Sequence, residues 1–103
     1  MHVIKRFSGK TEELTNTIRV TWAEIDAEDA IEMLEYNTDN RKLRKAKVDE
    51  YKRAIERGDF LFNGDAIVIS ADKVLLDGQH RLAALAETNE SISTLIVEGV
   101  PSF

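Results

Sequence analysis

The tightest constraint on this chain lies between Ala66 and Leu85, where two strand-like runs, a turn and a helical run follow one another with few connecting residues. Ala66-Ile67-Val68-Ile69-Ser70 and Val74-Leu75-Leu76 are aliphatic and β-branched, and Ala71-Asp72-Lys73 separates them by the spacing of a hairpin. Asp77-Gly78 then breaks the second strand. Leu82, Ala83, Leu85 and Ala86 recur as the apolar stripe of a helix that ends near Thr88-Asn89. Neither an all-helical nor an all-strand fold accommodates that succession.

The remaining elements fall in place around it. Thr17-Ile18-Arg19-Val20-Thr21-Trp22 alternates in the manner of a half-buried strand. Asp26 followed by Asp29 has the form of a helix N-cap, with Ala27, Ala30, Ile31 and Leu34 at helical spacing over about 27–35. Tyr36 to Asn40 reads as a loop. A second helix starts somewhere between 41 and 46 and runs to Arg57, with Val48, Tyr51 and Ile55 on one face and Gly58 as its C-terminal cap. Phe60 and Phe62 are expected in the core, as is Trp22, and Asn63-Gly64 marks a turn. Thr94-Leu95-Ile96-Val97-Glu98 is the last strand, closed by Gly99 and Pro101. The order is β-α-α-β-β-α-β, a small α+β domain with helices on one face of a mixed sheet. Residues 16–103 form that single domain, preceded by an arm over 1–15 with a possible strand at His2 to Phe7.

Composition narrows the function classes. At 103 residues and 43% hydrophobic content, one modest core is available. No apolar run approaches the roughly 20 residues of a membrane span, and the amino terminus lacks a signal core, so a cytoplasmic protein is expected. The absence of cysteine excludes disulfides, thiolate metal sites and a thiol nucleophile. Only His2 and His80 supply imidazole, and no structural metal is expected. The net charge of −5 argues against direct DNA binding by this domain alone. Its distribution is uneven: Arg41, Lys42, Arg44, Lys45 and Lys47 form a basic run without an acid. Such a run is either a solvated face or a local anion site.

The segment Asp77-Gly78-Gln79-His80-Arg81 is where strand passes to helix. Glycine there brings main-chain N–H groups close to a ligand, and the first turn of the helix offers donors at the positive end of its dipole. His80 and Arg81 add donors, and an arginine fork holds two phosphate oxygens at once. By spacing alone, a phosphate site and a plain turn with a surface arginine stand equal.

This segment resembles the glycine-x-x-arginine turn of the ParB/sulfiredoxin superfamily, and is similar to the DGQHR motif of phage and mobile-element proteins. The resemblance extends over roughly residues 16–98, through the helix ending in glycine, the hairpin, the turn and the final strand. It implies a nucleotide pocket for ATP or CTP, with Mg²⁺ as an accompanying ion. Gly78 would shape the turn, and His80 and Arg81 would hold phosphates. Ala46-Lys47-Val48 looks like the alanine-lysine-valine segment that places a lysine at the nucleotide in sulfiredoxins, so Lys47 is a candidate contact. Arg41 is a further one.

Gln79 stands where sulfiredoxins carry their catalytic cysteine and ParB proteins a glutamate. An amide is neither a nucleophile nor a general base, so any contribution of Gln79 is to binding. Asp77 is the nearest carboxylate, placed as a turn residue and as the weak candidate for a catalytic or Mg²⁺-binding group. Three functions are therefore expected to compete: a nucleotide-binding module with weak or no catalysis, a small phosphotransferase or NTP hydrolase, and an interaction protein whose acidic residues from Glu24 to Glu35 meet a host or DNA-associated protein partner.

Overall fold

A computed structural model describes residues 9–13, 17–38 and 42–101. In chain order the elements are β1 (Gly9–Glu13), β2 (Arg19–Asp26), α1 (Ala27–Leu34), α2 (Lys45–Glu56), β3 (Ile67–Ser70), β4 (Leu75–Asp77), α3 (Gln79–Ala86) and β5 (Ser91–Val100). The strands form one mixed sheet in the order β1-β2-β5-β3-β4, with β3 and β5 parallel and the other neighbours antiparallel. The α+β class and the succession from β2 to β5 agree with the sequence expectation. The strand expected over His2 to Phe7 lies outside the described residues. Within the expected arm over 1–15 a strand is found at Gly9–Glu13; it pairs with β2, Gly9 opposite Ala23 and Glu13 opposite Arg19.

Two strands are longer than their sequences suggested, for one reason. In β2 the alternation continues past Trp22, with Ala23 and Ile25 buried while Glu24 and Asp26 face outward. In β5, Ile92, Thr94 and Ile96 point inward, alternating with exposed Ser91 and Ser93 and half-buried Leu95. The small, polar outward residues hid a period of two that the inward residues obey. β5 is the centre of the sheet, pairing with β2 over Arg19↔Glu98 to Asp26↔Ser91 and with β3 on its other side.

The helices start and stop where local chemistry dictates. Asp26 caps α1 by accepting from the Asp29 N–H at 2.9 Å, while the Asp29 carboxylate accepts from the Asp26 N–H at 3.1 Å. Both ends of this reciprocal pair satisfy donors that the helix itself leaves unpaired. α2 ends in a left-handed residue, Gly58 (φ 75°), with Gly58 N–H donating to Ile55 and Asp59 N–H donating to Ala54. All three helices contribute to one core: Ala30 and Met33 from α1, Val48 and Ile55 from α2, and Leu82, Ala84 and Leu85 from α3 meet Ile25, Ile67, Ile69 and Ile96 of the sheet.

Trp22 departs from its expected place. It projects from the outer side of β2, 44% exposed, with its ring 5.2 Å from that of Phe62 in an edge-to-face arrangement. Phe60 and Phe62 are half-buried rather than central. The core is aliphatic, and Leu82 sits fully inside it. Truncating Leu82 to alanine is expected to cost about 3 kcal/mol, measured by denaturant unfolding, because the sheet and neighbouring helices cannot close the void.

Candidate functional site

The turn from β4 to α3 is built on one residue. Gly78 has φ 104° and is the N-cap of α3, and its N–H donates to the Asp77 carboxylate at 2.8 Å. The positive φ is what calls for glycine here; a Cβ at this position would sit 3.2 Å from Ile67 Cδ1, a tight contact with the end of a side chain, and 3.4 Å from the Ile67 Cα. The N–H groups of Gln79, His80 and Arg81, in the first turn, have no partner within the helix. The first intrahelical bond here is Leu82 N–H to the Gly78 carbonyl, 3.0 Å.

The three side chains after Gly78 do different work. Gln79 is buried (4% exposed), and its Nε2 donates to the Leu75 carbonyl at 3.2 Å. It thus ties the helix back to β4. Arg81 is also buried (7% exposed); its Nη1 donates to the Asp65 carbonyl and its Nη2 to the Ala66 carbonyl at 3.2 Å, with the Asp77 carboxylate 4.0 Å away. Its fork clamps the segment that leads into β3. His80 Nε2 accepts the Arg44 N–H at 3.0 Å, which joins α3 to the N-cap of α2. An imidazole accepting at Nε2 is neutral and carries its proton on Nδ1.

Burial holds the His80 pKa below its ordinary value of 6.5, and the positive charges of Arg44 and Lys47 push it the same way. The neutral ring is therefore the form that the fold selects.

These elements enclose a cleft of about 300 Å³. The turn residues Asp77 to Arg81 form one wall. Lys42, Leu43, Arg44, Lys47 and Tyr51, from the approach to α2 and its first turns, form the opposite one. Asp65 completes the lining. Four cations thus face two carboxylates in a chain whose net charge is −5. Lys47 Nζ lies 5.8 Å from the centre of the Tyr51 ring, a cation–π contact that holds the ammonium over the cleft side of α2.

Of the residues singled out by sequence, Gly78, Gln79, His80, Arg81, Lys47 and Asp77 come together here. Arg41 lies outside the described residues. Lys42 and Arg44 also line the cleft; the basic run signalled them, but a run of like charges does not tell which of its members face inward. Tyr51 had been assigned to the apolar face of α2, and Asp65 carried no signal beyond following Asn63-Gly64. Among the described residues no group of three or more histidine, aspartate or glutamate side chains converges in the manner of metal ligands, and no helix is long and apolar enough to cross a membrane. No family model, curated protein or solved structure matches this chain.

Two outcomes follow from this geometry. Replacing Arg81 by alanine leaves two carbonyls without their donor and is expected to cost about 2 kcal/mol in unfolding experiments. Lysine should restore only part of that, since one ammonium does not reproduce a two-pronged fork. The second concerns pH. Because His80 is depressed in the fold, its contribution is present above its ordinary value of 6.5 and is lost as pH falls through the lower folded value. The stability difference between the wild type and His80→Ala should narrow on acidification below about 6.5, and a constant difference would show that the bond to Arg44 does not depend on the neutral ring.

Proposed function

We propose that this chain is a nucleotide-binding domain of the kind it resembles, the ParB/sulfiredoxin superfamily, holding the phosphates of ATP, CTP or a related nucleotide at the first turn of α3. One observation carries the reading: Lys42, Arg44 and Lys47 face the unpaired main-chain donors of Gln79 to Arg81 across a single cleft, in a chain that is otherwise acidic. Helix N-termini favour anions through aligned N–H groups and the helix dipole, and flexible ammonium groups neutralise what the backbone orients. The order of elements from β2 to β5 and the Gly78-Gln79-His80-Arg81 turn support the family reading.

In this arrangement the residues of the turn divide between framework and contact. Gly78 sets the path, Gln79 and Arg81 anchor the helix through their side chains, and the main-chain donors of Gln79, His80 and Arg81 meet phosphate oxygens. Lys47 and Arg44 supply the charge from the other wall. Gln79 faces inward and offers no acid or base, which favours binding over turnover.

A second reading, a small phosphotransferase or NTP hydrolase, is favoured by the presence of two carboxylates, Asp65 and Asp77, in the same cleft. Mg²⁺ takes one or two carboxylates together with substrate phosphates, so this pair would serve a nucleotide-borne ion.

Calorimetric titration with each nucleoside triphosphate, with and without Mg²⁺, tests the binding reading. Uptake that weakens at least about tenfold in Lys47→Ala, with the fold intact, is the expected outcome. Absence of uptake of every nucleotide would end it. Phosphate release above background that disappears in Asp77→Asn would move the assignment to the enzyme, whereas binding without release keeps it with the module.

A further inference from the structure

Glycine follows an asparagine or an aspartate at two places in the chain, Asn63-Gly64 and Asp77-Gly78. Such pairs share a chemistry: the glycine amide nitrogen can attack the preceding side-chain carbonyl carbon and close a succinimide ring, because no glycine Cβ obstructs the approach. The fold treats the two pairs differently. Gly78 is buried where β4 meets α3, with its N–H taken by the Asp77 carboxylate and its carbonyl by the Leu82 N–H, so this junction is held on both sides. Asn63, Gly64 and Asp65 are all exposed, in the stretch between α2 and β3 that contains neither helix nor strand. Among the described residues the Gly64 N–H has no hydrogen-bond acceptor, and a Cβ built on Gly64 would meet nothing within 4 Å.

One bond at Asn63 favours the reaction. Its side-chain Oδ1 accepts the Asp65 N–H at 3.2 Å. Attack on Cγ moves negative charge onto this oxygen, and a main-chain N–H already aimed at it stabilises that charge as an oxyanion hole does. The same bond keeps the side chain folded back on the main chain that attacks it. The other asparagines, Asn16, Asn37, Asn40 and Asn89, precede threonine, threonine, arginine and glutamate, whose side chains obstruct ring closure.

We propose that Asn63-Gly64 is a self-modification site at which the folded chain converts Asn63 to aspartate and isoaspartate, and that the isoaspartate form weakens the clamp made by Arg81. The Gly64 nitrogen gives up its proton and bonds to Asn63 Cγ, and the side-chain amide leaves as ammonia. Water then opens the ring. Cleavage between Cγ and the Gly64 nitrogen yields aspartate, whereas cleavage between the main-chain carbonyl carbon of residue 63 and that nitrogen yields isoaspartate. The net change is from amide and water to carboxylate and ammonium. Both products add a carboxylate to a recess already lined by Glu50, Asp59, Asp65 and Arg81. Isoaspartate also inserts Cβ into the main chain, two residues before the Asp65 carbonyl that Arg81 Nη1 holds. The inference does not depend on what the cleft binds.

The test incubates the full chain at mildly alkaline pH, folded and in denaturant, and follows its peptides by mass spectrometry and by isoaspartate-specific methylation. In the folded chain the peptide carrying Asn63 should gain about one dalton and accumulate isoaspartate, faster at higher pH, while Asp77 stays unmodified. In denaturant both junctions should form isoaspartate. Asn63 that reacts only in denaturant, or Asp77 that reacts as readily in the folded chain, would overturn the proposal. The aged species are then separated by chromatography and unfolded beside Asn63→Asp, which carries the charge without the longer main chain. The isoaspartate form should unfold at lower denaturant than Asn63→Asp, and that gap should narrow in Arg81→Lys, where the fork is already lost. Equal midpoints, or a gap untouched by Arg81→Lys, would overturn the link to Arg81 and leave the modification standing.

Discussion

The left-handed backbone at Gly78 lets β4 become α3 without an intervening loop, and the rest of the cleft depends on that economy. With no Cβ to hold it away from Ile67, the start of α3 lies directly against β3. Gln79 can then return its amide to Leu75, and Arg81 can reach the carbonyls of Asp65 and Ala66. Each of these bonds fixes the helix to a different segment of the sheet edge. A longer loop would carry more entropy and would not aim the helix N-terminus at a fixed point.

The same anchoring explains how an acidic protein keeps a local cationic site. His80 accepts from the N–H of Arg44 and so pins the start of α2 across from the start of α3. Lys42, Arg44 and Lys47 are thereby held on one side of a concave surface, opposite main-chain donors, while the acids of β2 and α1 lie elsewhere on the molecule. A concave surface lined by charges of one sign focuses their field relative to an open face. The neutral state of His80 belongs to this arrangement: a charged ring would lose its bond to Arg44 and add a fifth positive charge to a crowded wall.

Much of this was legible in the amino-acid order. The hairpin, the break at Asp77-Gly78, the capping pair Asp26 and Asp29, and the α3 stripe of Leu82 and Leu85 rest on local rules that tertiary packing did not override. The ends of β2 and β5 were hidden because their outward residues are small or acidic, and β1 because Gly9 to Glu13 has the composition of a connection. In the site, the motif located the turn but not the direction of its side chains. From the amino-acid order Arg81 reads as a surface charge or a phosphate ligand; the carbonyls of Asp65 and Ala66, sixteen and fifteen residues earlier, make its side chain a buried clamp. Phe60 and Phe62 were expected inside because aromatics beside strands usually are; Phe60 instead packs on the margin of the aliphatic core, and Phe62 lies edge-on to Trp22.

The central claim is that phosphate meets the first turn of α3. Backbone amide resonances followed by NMR during titration with ATP test it most directly, because each N–H reports separately. The account predicts that the largest shifts fall on Gln79, His80 and Arg81, with smaller ones on Arg44 and Lys47 across the cleft. Shifts scattered over exposed lysines and arginines, with these amides unmoved, would contradict it.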